Sequence, residues 1–443
     1  MKLEDMILVS VDDHIVEPPT LFDKHLPAAY KDKAPKVIKK NGADMWEWGN
    51  VPIPNLALNA VVGRPKHEYG MEPTSYEQLR KGTWDIDARI DDMNANGQLA
   101  SLCFPSFPGL NGSLFCKQED KKLAHVILQA YNDWHVDEWC GSKPGRFIPN
   151  GLVPLWDPQL MADEVRRLAK KGCHAVSFSE NPEKMQLGLP SLHSKKWDPF
   201  WQACSDEGTI VNVHIGSGEG MAVTSMEAPV DVMITIQPMA IASAASDILW
   251  SSVLRRFPKL KFALSEGGIG WIPYFLERVD YVYEGHHQWT HQDFGDKKPS
   301  DVFKEQIATC FIDDRAGVAM RKLVGVDNIN WECDYPHSDT SWPKAPEALW
   351  EHFEDGVSDE DINKMTHLNA MKLYSFDPFK HIKREDCTVG ALRAQAKDVD
   401  LSIKGSQGGK APITDGSARP VTIMDVAVQL MEAQKPVDKS VSK

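Results

Sequence analysis

"PQLMADEVRRLAKKGCHAVSFSE", residues 158–180, is the stretch whose reading decides the fold. Its first part places Leu160, Val165 and Leu168 on one stripe of a helix, and Gly172 stops that helix. The apolar run that follows, "HAVSFSE", is too short for a second helix and reads as a buried strand ending in a carboxylate, Glu180. Strands of a purely parallel sheet are covered on both faces, so they read as continuous apolar runs joined by helical crossovers.

The same unit repeats in both directions. Upstream, a helix at residues 84–97 precedes a strand at 99–107, and an amphipathic helix at 121–140 precedes a strand at 146–155. Downstream, helices at 198–208, 241–258, 271–284 and 315–325 separate strands at 209–216, 259–267, 306–312 and 328–334. With the opening run "VSVDDHIVEP", residues 9–18, about eight strands alternate with helices, which predicts an α/β fold of the (β/α)8 TIM-barrel type. A doubly wound open sheet is the competing architecture, but no G-x-G-x-x-G follows the first strand.

Two stretches break the alternation. Residues 19–83 are dense in Pro and Gly and read as an inserted lid after strand one, carrying Trp46, Trp48, His67 and Tyr69, aromatics and an imidazole that either line a pocket or pack the insertion onto the barrel. From residue 384 the chain turns polar, with one apolar island at 421–433. The expected organisation is therefore a barrel over 1–383 and a partly disordered tail over 384–443 with one helix.

Composition narrows the function classes. Hydrophobic residues make up 42% and charged residues 25%, as in a globular enzyme, while a net charge of -14 opposes binding to nucleic acid or an anionic membrane. The acidic start "MKLEDMILVS" is unlike a signal peptide, and no run of about eighteen uninterrupted apolar residues occurs. The 8 cysteines contain no C-x-x-C and read as reduced, buried thiols of a cytoplasmic protein. A homo-oligomer acting on a small-molecule substrate is expected.

Polar residues stand where the apolar runs end. Strand one ends in Asp12 and His14, which share a side because strand side chains alternate. Strand four ends in Glu180, strand five in His214, strand six in Glu266 and strand eight in Asp334. Each alone could cap a helix or a turn, but an uncompensated carboxylate or imidazole there costs several kcal/mol to desolvate. Several of them converging on the C-terminal mouth of a barrel are better explained by a shared cation.

Four motifs, "SVDDHIVEPP" (10–19), "NVHIGSG" (212–218), "SEGGIGWIPYFLERVD" (265–280) and "CDYPHSD" (333–339), resemble the amidohydrolase-related branch of the amidohydrolase superfamily. That group includes aminocarboxymuconate semialdehyde decarboxylase, and the resemblance runs from about residue 7 to 376. It implies a distorted barrel with a mono- or dinuclear metal site and ligands from strands one, four, five, six and eight. Two positions depart from the pattern. The usual His-x-His or Glu-x-His is Asp12-x-His14, and the histidine common after strand six is Glu266, which counts against decarboxylation. Glu180 stands where dinuclear members carry a bridging group.

The candidate ligands Asp12, His14, Glu180, His214, Glu266 and Asp334 are two imidazoles and four carboxylates, a set that suits iron or manganese better than structural zinc. The same ligand count occurs in ferritin-like dinuclear proteins. The expectation is a pair of divalent metals, Fe/Fe or Mn/Fe with Zn as the alternative. Such a pair would serve an O2-dependent monooxygenase that hydroxylates an aliphatic substrate with help from an electron donor. The competing chemistry is hydrolysis of an ester, lactone or amide by activated water, with Asp334 as proton acceptor and His337 as its neighbour or a substrate contact. Non-oxidative decarboxylation, or a pseudoenzyme with one structural metal, completes the set.

Overall fold

In a computed structural model, residues 158–180 form the helix Pro158–Ala169 followed by a strand at Ala175–Phe178. The structure describes residues 1–49, 51–53, 57, 59–218, 220–353 and 356–434. Asp157 caps the helix by accepting the Gln159 and Leu160 amides, and Pro158 sits in the first turn, where a missing N–H costs nothing. The buried stripe is Met161, Val165 and Leu168, one residue round from the expected one, with Leu160 half-buried. Gly172 ends the unit at φ +79°, a conformation with little cost for glycine.

The strands are β1 (Val9–Ile15), β2 (Lys36–Lys40), β3 (Ala43–Trp48), β4 (Val51–Ile53), β5 (Ala100–Pro105), β6 (Phe147–Ile148), β7 (Ala175–Phe178), β8 (Ile210–His214), β9 (Phe262–Ser265), β10 (Ile307–Phe311) and β11 (Ile329–Trp331). β1, β5 and β6 form one parallel arc, and β7 through β11 form another in sequential order. Two seams join the arcs. At the first, the Gly151 amide donates to Ala175 O and the Ser177 amide to Gly151 O, both at 2.9 Å. At the second, the Asp334 amide donates to Asp12 O (2.9 Å) and the His14 amide to Tyr335 O (2.7 Å). The eight parallel strands thus close into the expected barrel.

The helix Val230–Trp250 has a mean hydropathy of 1.5 and the length to cross a bilayer, yet Ile241, Ala244, Ala245, Ile248 and Leu249 pack it into the barrel wall. Among the described residues every cysteine is a free thiol, and all but Cys116 are buried.

The segment after β1 is an antiparallel sheet, β2-β3-β4. Trp46 and Trp48 take the second of the two roles open to them, packing. Spaced by two on β3, they point the same way and pack on Phe107 and Phe115, which seats the insertion on the barrel. His67 is exposed, while Tyr69 is half-buried near Asp339.

The tail also differs from expectation. Besides the helix Ile423–Gln434 it forms Val389–Gln395, whose Val389 and Leu392 are buried and whose Val389 amide donates to Met6 O at 2.8 Å. Two apolar residues three apart are enough to dock one helical turn but too few to stand out in a polar context. The chain then straps across the insertion: Lys404 bonds to Gly63, Lys410 pairs with Glu72, and Thr422 pairs with Pro229 beyond β8. Residues 435–443, the last part of the tail, lie outside the described residues.

Candidate metal centre

β1 is buried along its whole length, and its alternation separates two chemistries. Asp13 faces outward between strand and helix. It accepts from Gln98 Nε2 (2.7 Å), the Tyr335 amide (2.9 Å) and the Ser101 hydroxyl, with the Arg89 guanidinium nearby. Asp12 and His14 face inward. Neither Asp12 carboxylate oxygen nor either His14 ring nitrogen has a hydrogen-bond partner among the described residues.

Around them converge the ends of the other strands. His14 Nε2 lies 3.3 Å from Asp12 Oδ1 and 3.1 Å from Asp334 Oδ1. His214 Nε2 lies 3.4 Å from Asp12 Oδ2 and 3.0 Å from Glu266 Oε2. His337 Nδ1 is 2.8 Å from Asp334 Oδ1. Asp12, His14 and His214 form one group of donor atoms within 4.8 Å of one another; His14, Asp334 and His337 form a second that shares His14.

His214 Nδ1 lies 2.6 Å from Ile215 O, a contact that makes Nδ1 the protonated nitrogen and leaves the Nε2 lone pair directed at the group. Its Nε2, both Asp334 oxygens and His337 Nε2 are also buried without hydrogen bonds among the described residues. Buried lone pairs that face one another rather than N–H donors mark a cation site, so these residues fit a metal ion.

The titration behaviour follows from the same crowding. Burial, then the carboxylates of Glu332, Glu266 and Asp334, push Asp12 far above the usual range. Burial and the neighbouring His337 and His214 rings hold His14 far below it. Burial alone would also lower His214, but the Glu266 carboxylate outweighs it and raises His214 to about 9. A bound cation would reverse these preferences, since it favours ionised carboxylates and neutral imidazoles.

Glu266 and Asp334 both adopt left-handed backbone, φ +60° and +56°. For non-glycine residues this costs on the order of 1–3 kcal/mol and persists only where the surroundings enforce it.

Of the residues singled out in the sequence, Asp12, His14, His214, Asp334 and His337 are gathered, and Glu266 reaches them through His214. Glu180 belongs to neither donor group. The chain leaves β7 at Phe178, and the Glu180 amide donates to Ser217 Oγ at 3.0 Å. A Cβ on Gly218 would come within 2.8 Å of Glu180 Cγ, so the turn carrying Glu180 is stacked directly on the loop that follows β8.

Sequence reasoning missed Glu332. It is fully buried, and its carboxyl, pushed up to about 8 chiefly by burial, accepts the Glu266 amide (3.1 Å) and the Cys310 thiol (2.6 Å). Glu332 precedes Asp334 by two, but both lie just past the end of β11, where strand alternation no longer assigns a face.

A family model described as amidohydrolase matches residues 23–376, a span that begins after Asp12 and His14. An amidohydrolase of Mycobacterium avium subsp. paratuberculosis is similar in structure, with TM-score 0.63 and 20% identity over 83% of this chain and 97% of that one. The 5-carboxyvanillate decarboxylase of Sphingomonas paucimobilis matches with TM-score 0.56 and 16% identity over 84% and 100% of the two chains. A dihydroxybenzoic acid decarboxylase of a Polaromonas species, with bound manganese and the inhibitor 2-nitroresorcinol, matches with TM-score 0.55 and 17% identity over 86% and 99%.

Proposed function

Since the chain belongs to the amidohydrolase family, we propose that it is a divalent-metal hydrolase that opens an ester, lactone or amide with an activated water. The observation that carries this reading is a gradient of exposure across the site. Asp12, His14 and Asp334 side chains are 0% exposed and His214 4%, whereas Glu266 and His337 keep 16% and 13%. The first four are donors withdrawn from solvent and would hold one ion; the last two border the space a substrate can reach.

A divalent ion held there would lower the pKa of a water and polarise a carbonyl. The Asp334 carboxylate, 2.8 Å from His337 Nδ1, favours a proton on that nitrogen and would leave Nε2 to accept the water proton and return it to the leaving group. Burial lowers the affinity of His337 for that proton, and the Asp334 carboxylate more than restores it. Glu266, at the open edge, would add a further carboxylate ligand to the ion beside His214. Manganese suits two imidazoles with carboxylates, and the Polaromonas relative carries it.

The comparisons weaken the dinuclear monooxygenase expectation: the relatives described above are an amidohydrolase and decarboxylases. A single vessel separates the chemistries. Protein stripped with EDTA and reloaded with Mn2+ is given aryl esters, lactones and dihydroxybenzoates while proton release, CO2 and O2 are followed together. Proton release from esters or lactones that requires the metal is expected. CO2 release from the benzoates would instead assign decarboxylation, and O2 uptake with substrate would restore the oxygenase.

A further inference from the structure

Glu266 is held in a conformation it would not choose. Its φ of +60° is unfavourable for a residue with a Cβ, yet in that conformation its carboxylate stands 3.0 Å from His214 Nε2. The backbone amide of Glu266 donates to Glu332 Oε2 at 3.1 Å. The Cys310 thiol on β10 donates to the same oxygen at 2.6 Å and ties the carboxyl to the strand between β9 and β11. Glu332 Oε1 is buried with no hydrogen-bond partner among the described residues. A fully buried carboxyl with one unpartnered oxygen is a poor choice for stability, since an apolar side chain of similar volume would avoid the desolvation.

We propose that Glu332 is a positioning residue: by accepting the Glu266 amide, Glu332 Oε2 locks Glu266 in the left-handed backbone that aims its carboxylate at His214, and so sets the open edge of the metal centre. This rests on the metal reading above. It predicts a dissociation that a purely structural residue would not give. Glu332→Met removes the acceptor but keeps the volume and the packing. Its melting temperature should match or exceed wild type, while its Mn2+ affinity falls about 10–100-fold, the usual cost of losing a residue that orients a ligand. Glu332→Gln keeps a carbonyl acceptor and should stay close to wild type in affinity.

The full-length protein is titrated with Mn2+ alone, and hydrogen exchange of the peptide spanning Glu266 is followed with and without the ion. The Glu266 amide should exchange faster in Glu332→Met than in wild type or Glu332→Gln, with or without metal. In a Glu266→Gly background, where positive φ carries no penalty and the carboxylate is gone, Glu332→Met should cause no further loss of affinity. The proposal is overturned by a Glu332→Met protein with wild-type affinity and exchange, by a Glu332→Gln protein as impaired as the Met variant, or by an undiminished loss in the Gly background. A wild-type chain that fails to bind Mn2+ would sink the metal reading itself, and the metal-free exchange rates would still decide whether Glu332 holds Glu266.

Discussion

The two faces of β1 carry neighbouring aspartates with opposite fates. Asp13 has its carboxylate saturated by Ser101, Gln98 and the Tyr335 amide, with Arg89 close by; Asp12, one residue away and equally buried, has no hydrogen-bond donor among the described residues. Burial is therefore not what distinguishes a structural carboxylate from a functional one. Both are pushed above the usual range, Asp13 only to about 6 because its donors offset the burial, Asp12 much further because its neighbours are other carboxylates. Glu17, just beyond the strand, sides with Asp13: it accepts the Ser106 and Phe107 amides and the Tyr131 hydroxyl.

The largest expected effect would break the comparison outright. Asp12→Asn should remove essentially all turnover and strip the metal, read by elemental analysis, while leaving the melting temperature unchanged or higher, because a buried carboxylate without donors is gone. A variant that unfolds while its folded fraction keeps metal and activity would place Asp12 with its neighbour as a structural acid.

Asp13→Ala should behave the other way. Leaving Gln98, Ser101 and the Tyr335 amide without their acceptor and Arg89 without its counter-charge costs about 3–5 kcal/mol in denaturant unfolding, while the folded fraction still binds metal. Metal loss from a fully stable Asp13→Ala protein would erase the distinction between the faces.

Glu17 sharpens the comparison through pH. Burial pushes its carboxyl from 4.5 to about 7, so between those values the folded chain keeps a proton that the unfolded chain has released. Stability from this residue must therefore fall as pH rises across that window, by on the order of 3 kcal/mol in total. Denaturant titrations at pH 5 and pH 8 should show Glu17→Gln gaining on wild type by about that amount at the higher pH; parallel curves would mean that Glu17 is ionised in the fold. The smallest effect belongs to one donor. Ser101→Ala removes a single hydroxyl from Asp13 and should cost about 1 kcal/mol, with no change in metal content.

What could be read from the chain follows the same physics. Period-two alternation alone puts Asp12 and His14 on one side of β1, and apolar runs ending in His214, Glu266 and Asp334 mark the mouth of a barrel. Glu180 is harder to read: being next to a strand end says nothing about which way the chain turns once it leaves the ladder, and there its turn stacks on Ser217 and Gly218. Glu332 was hidden because it stands inside an apolar stretch whose visible end is Asp334. Trp46 and Trp48 left pocket and packing both open because a sequence shows that a face is aromatic but not what the face is pressed against.

The seam that joins Asp334 to Asp12 also fixes when this molecule can mature. At about 5–20 residues per second, β1 leaves the ribosome roughly tens of seconds before its last partner, and until then one of its edges has nothing to pair with. The donors run from residue 12 to residue 337, so no chain shorter than 337 residues contains the set. An ion that binds only the finished ring stabilises only that ring. Metal supply to the growing cell should therefore govern how much of the nascent protein survives quality control, before it has any bearing on turnover.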